Sequence, residues 1–98
     1  MIVKLKTSLK IKDQTVNEIS LNFDNITGND LVTAESEVRA MGDQTPSVFL
    51  SMRFQAAVAA KLIGVPVDDV LALPVPDFRK LVFPVANFLL GQVVLQEI

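Results

Sequence analysis

Residues 47–64, SVFLSMRFQAAVAAKLIG, carry apolar side chains on two sides of what reads as one helix. At about 100° per residue, Val48, Phe49, Met52, Ala56, Ala59, Ala60 and Ile63 share one broad face. Leu50, Phe54, Val58 and Leu62 recur every fourth residue and form a second row on roughly the opposite side. A surface helix needs one apolar stripe. A helix with two is either clamped between layers of its own domain or lends one side to another chain. On sequence alone both readings of the second row stay open. Thr45 is placed to cap this helix with Pro46 at its first position, Gly64 to close it, and Pro66 to prevent its continuation.

The chain before it opens with period two. In residues 1–12, Val3, Leu5, Thr7, Leu9 and Ile11 point one way while Lys4, Lys6, Ser8, Lys10 and Lys12 point the other. Residues 16–23 alternate again, with Ile19, Leu21 and Phe23 inward and Glu18 available to face a lysine of the first strand. The segment between them, Asp13, Gln14 and Thr15, has no glycine, so a longer loop is expected in place of a tight two-residue turn. Thr27 and Asp30 have capping-box spacing and open a helix over 28–41, with Leu31, Ala34, Val38 and Met41 on its apolar stripe and Gly42 at its end.

Past the central helix, residues 66–73 read as a short helical turn with Asp68 and Asp69 near its start. Pro74, Val75 and Pro76 read as a break, and Asp77 begins the last helix. Its main apolar face is Phe78, Leu81, Val82, Val85, Phe88 and Leu89. Phe83 and Leu90 lie on a different side, and Pro84 predicts a kink. Gly91 ends it, and residues 92–98 read as a tail or an extra strand. The expected fold is α+β: an N-terminal antiparallel hairpin followed by three main helices and one short one, in a single domain over 1–98. The parts are the hairpin at 1–23, helices at 28–91 and the tail.

Composition limits what this fold can do. Hydrophobic residues make up 50% and charged residues 20% of 98 positions, which argues against disorder. A chain this short buries only about 60–65% of the surface it exposes when unfolded. Some of this apolar content is therefore left outside, and self-association or partner binding is expected. The net charge of −2 argues against nucleic acid, and Lys4, Lys6, Lys10 and Lys12 read as the solvated face of one strand. The longest uncharged run, residues 81–96, is interrupted by Pro84, Asn87, Gly91 and Gln92, so no membrane span is expected. No stretch of signal-peptide type opens the sequence, and an intracellular setting is the expectation.

The sequence has no His, Cys, Tyr or Trp. General acid–base chemistry would fall to carboxylates or lysines. Asp68 and Asp69 are the adjacent acids, and a helix start explains them. No catalytic, cofactor-binding or metal-ligating set is expected, and no small-molecule substrate. What remains is apolar surface. The candidate partner-binding residues are Leu50, Phe54, Val58 and Leu62 on the central helix, and Phe83 and Leu90 on the last.

Residues 64–78, GVPVDDVLALPVPDF, follow the pattern G-x-P-x-x-x-(V/L)-x-x-L-P-x-x-D-F. This pattern resembles that of the tail assembly chaperones of Mu-like tailed phages. A lysine-rich hairpin carrying VNEISL at 16–21, then TGNDL at 27–31 opening a helix, then the long apolar helix agree in order, so that the likeness runs from about Leu5 to Gly91. The resemblance implies a non-enzymatic assembly factor of the host bacterial cytoplasm. Such proteins coat the apolar, helix-rich tape measure protein and keep it soluble until tube subunits polymerise around it, and they are absent from the finished virion. Many are also made in a longer, frameshifted form that recruits tail tube protein. The alternatives from other classes are a structural or adaptor subunit that stays in the particle, and a small regulator. The regulator would need a basic recognition helix, where the central helix offers only Arg53 and Lys61.

Overall fold

A computed structural model of the chain describes residues 1–91. The expectation of a tail or extra strand at 92–98 lies outside the described residues. The order of elements is β1 (Ile2–Ile11), β2 (Gln14–Ser20), α1 (Gly28–Ala40), α2 (Met52–Ile63), α3 (Val67–Leu71) and α4 (Val75–Leu90), with 3-10 turns at Phe23–Asn25 and Val48–Leu50. The architecture is the expected α+β one: an antiparallel hairpin, three longer helices and one short one.

Alternation along β1 places Val3, Leu5 and Leu9 in the core and leaves Lys4, Lys6 and Lys10 in solvent. β2 adds Ile19, and Leu21 follows it inward. Lys4 stands opposite Glu18 and Leu9 opposite Val16. Between these pairs, β1 residues 5–8 face the single β2 residue 17, so β1 bulges in mid-strand. The turn departs from expectation. Ile11 pairs with Gln14 across only Lys12 and Asp13, at φ 50° and 68°. Both central residues take the left-handed region that a tight primed turn demands, although neither is glycine. Asp tolerates that region better than Lys does.

The capping box of α1 forms as the spacing predicts. Thr27 Oγ1 accepts the Asp30 N–H at 3.3 Å, and the Asp30 carboxylate accepts the Thr27 N–H at 2.9 Å. The helix buries Ala34 and Val38.

The central helix starts later than expected, at Met52. Ser51 is its cap, with extended backbone (φ −82°, ψ 127°) and a hydroxyl that accepts the Phe54 N–H at 3.2 Å. Val48, Phe49 and Leu50 form a separate 3-10 turn and drop off the helical wheel. From Phe54 to Ala60 every residue of α2 is buried, because the helix is enclosed by α1, α3 and α4. Ala56, Ala57, Ala59 and Ala60 allow these neighbours to approach closely. Gly64, at φ 91°, closes the helix in the left-handed region.

α4 begins at Val75, two residues before the expected start. Pro76 is tolerated there because amides of the first turn lack an intrahelical acceptor in any case. The helix continues through Pro84 to Leu90, and Leu81, Val82 and Val85 face the core. Burial of Phe54 and Leu81 stabilises the fold by about 1.5–3 kcal/mol each before ordering costs.

Candidate partner-binding surface

The second row of the central helix does not survive as one surface. Phe54 and Val58 are fully buried, and Phe54 stacks on Phe49 with ring centroids 5.5 Å apart. Both belong to the core, which corrects the expectation that they meet a partner. Two apolar sides on α2 mean enclosure here. Leu62 is partly buried and lines a cleft of about 220 Å³ with Ile11, Val16 and Ile63, beneath the hairpin. Leu50 alone of this row stands out, 61% exposed, because it lies in the 3-10 turn ahead of the helix.

The two candidates on α4 are where the wheel puts them. Phe83 is 60% and Leu90 50% exposed, seven residues apart on the side away from Leu81 and Val85. Val75, eight residues before Phe83 and 70% exposed, continues the same row. Reading Pro76 as a stop hid it, though its spacing from Phe83 was visible. Met52, 64% exposed, shares a wheel face with the buried Ala56 and Ala59 but is the first residue of α2, ahead of the enclosed stretch, and so stands in solvent. The 3-10 turn that carries Leu50 packs against α4. At the other end of α4, Phe88 stacks on Phe23 at 4.7 Å.

Two buried carboxylates hold this surface in place. Asp77 Oδ1 accepts the N–H of Lys6 and Oδ2 that of Thr7, both at 2.8 Å. These are consecutive amides of the β1 bulge, which the ladder to β2 leaves free. The bond from the Lys6 N–H, with those from Thr7, lowers the Asp77 pKa against the opposing effect of burial. Asp43 occupies the loop before α2. Its carboxylate accepts the Ser51 hydroxyl and, at 2.8 Å, the Thr45 N–H, which lowers its pKa to about 2. Arg39 Nη1 donates to the carbonyls of Asp43 and Thr45, so α1 anchors the same loop. The Ser51 hydroxyl thus donates to Asp43 and caps α2 at once.

Among the described residues, no three acidic, His or Cys side chains come close enough to hold a metal ion. No described helix is long and apolar enough to cross a membrane. Exposed apolar side chains stand singly at Ile2 and Val32, at Leu50 and Met52 around the start of α2, and as a row along one face of α4, bordered by Arg79 and Lys80. The chain matches no protein-family model, no curated protein and no solved structure.

Proposed function

We propose that this chain is a non-enzymatic assembly factor that shields an apolar helical segment of another protein. More narrowly, it acts as a phage or prophage tail assembly chaperone for the tape measure protein, with tail tube protein as a further partner of any longer form. The observation that carries this reading is the outer row of α4. Val75, Phe83 and Leu90 stand in solvent on a helix whose opposite face is already sealed against the core. Such a row is suited to packing against a second amphipathic helix. The GVPVDDVLALPVPDF segment and the order of hairpin and helices support the narrower assignment.

The test is co-expression with the tape measure protein encoded beside it. A soluble complex is expected, and Phe83→Glu should return the client to the insoluble fraction while the chain itself stays folded. A client that remains insoluble with no complex recovered would overturn the assignment. Mass spectrometry of purified particles separates the structural-subunit reading, under which the chain would persist in the virion.

A further inference from the structure

Cations of β1 and of α4 meet at the start of α4. Lys80 Nζ donates to the Lys4 carbonyl at 3.0 Å, and Asp77 holds the amides of Lys6 and Thr7. The first turns of α4 are thereby pinned to β1. Lys4, Lys6, Arg79 and Lys80, all exposed, gather around them. Asp77 is the one acid of α4, and it is buried with both oxygens engaged. Neither Arg79 nor Lys80 makes a direct ion pair among the described residues, where the ion pairs are Arg39–Glu35 and Lys61–Glu37, although the charge of Lys80 acts on Asp77 from nearby. Glu18 stands opposite Lys4 and Asp69 lines a cleft with Thr7 and Pro74, so the positive side of this corner is the one that Arg79 and Lys80 present. The apolar row starts inside it, since Val75, Arg79 and Phe83 follow one another at four-residue spacing.

We propose that this face seats an amphipathic helix of a protein partner. Its apolar stripe covers Phe83 and Leu90, and its acidic side chains meet Arg79 and Lys80. The proposal rests on the reading of α4 as the docking surface and adds the charge of what docks there. Exposed ion pairs contribute little affinity singly, yet complementary charge rejects wrong partners and fixes register. A partner helix flanked by lysines would be repelled here.

The experiment uses two synthetic amphipathic peptides with one common apolar stripe, flanked by Glu in the first and Lys in the second. Binding to the full chain is measured by fluorescence anisotropy at about 0.05 M and about 0.5 M salt. The Glu peptide should bind about tenfold more tightly at low salt, and salt should erase most of the difference. Arg79→Glu, alone and with Lys80→Glu, should invert the preference, with circular dichroism confirming the fold. Equal binding of the two peptides, weakened alike by Phe83→Ser, would overturn the charge preference and leave the docking surface standing. No binding of either peptide would overturn both. Capture by phosphatidylglycerol vesicles without peptide binding would overturn the proposal in favour of a lipid surface. A dimer that Phe83→Ser dissociates would overturn it in favour of a second copy.

Discussion

The carboxylate of Asp77 accepts the backbone N–H of Thr7 at 2.8 Å, across 70 positions of sequence. With the matching bond from Lys6, it supplies the bulge in β1 with the acceptors that β2 cannot. One side chain therefore sets where the hairpin bends and where the exposed face of α4 begins.

Asp77→Asn should lower the melting temperature at about pH 7, because a neutral amide can accept only through its one oxygen. The folded pKa of Asp77 lies below its ordinary value. Its stabilisation is therefore fully present above the ordinary carboxylate pKa and is lost as pH falls through the folded value. The gap in melting temperature between wild type and Asp77→Asn should be constant from about pH 7 to about pH 5. It should then narrow as the solution is acidified further. Thermal melts followed by circular dichroism across that range check this. A gap that widens in acid would show that Asp77 is not held as the carboxylate.

Ser51→Ala should have two linked effects. Loss of the cap on α2 should lower stability by about 0.5–2 kcal/mol, measured by urea denaturation. The Ser51 hydroxyl is also the chief cause of the lowered pKa of Asp43, about 2 in the folded chain. Without it, the NMR titration of the Asp43 carboxyl carbon should move up toward the ordinary carboxylate value. A titration left near 2 would mean that the Thr45 side chain and N–H, with the charge of Arg53, are enough to hold Asp43 ionised.

Local signals were legible in the sequence, and signals that depend on distant partners were not. Period two along β1, the capping box at Thr27 and Asp30, and the closing glycines each involve residues within one turn or one strand. The bulge needs Asp77, and nothing near Leu5 or Ser8 announces it. The central helix is expected to open at Thr45-Pro46 and is capped by Ser51 instead. Asp43 decides this by holding the Ser51 hydroxyl. At the candidate surface, the wheel found Phe83 and Leu90 because α4 is regular around them. It could not tell whether Phe54 and Val58 face a partner or the core, since α1, α3 and α4 supply the cover.

The turn offers a gain of stability. Lys12 and Asp13 both sit at positive φ, which costs about 1 kcal/mol or more for a residue with a Cβ. Replacing the pair by Asn-Gly keeps the two-residue length and suits a turn with both φ values positive. Lys12→Asn with Asp13→Gly should raise the urea midpoint by the equivalent of about 1 kcal/mol, with the m-value unchanged. A lower midpoint would mean that the turn is not of this tight form.

Two phenylalanines separate core from surface most directly. Phe54 is sealed, stacked on Phe49, and sits where α2 meets its neighbours. Truncation to alanine leaves a cavity among side chains that can collapse only in part, and should cost about 3–5 kcal/mol. Against a total of about 5–15 kcal/mol for a domain, that is enough to leave the chain near unfolding. Phe83 is 60% exposed, and its truncation removes little packing, so Phe83→Ala should change stability by no more than about 0.5 kcal/mol. The client assay should rank them differently. Phe83→Ala should lose client solubilisation while keeping the wild-type denaturation curve, a split that loss of folding cannot produce. A Phe83→Ala variant that destabilises as much as Phe54→Ala would place Phe83 inside a packed interface of the chain itself and remove α4 as the free face.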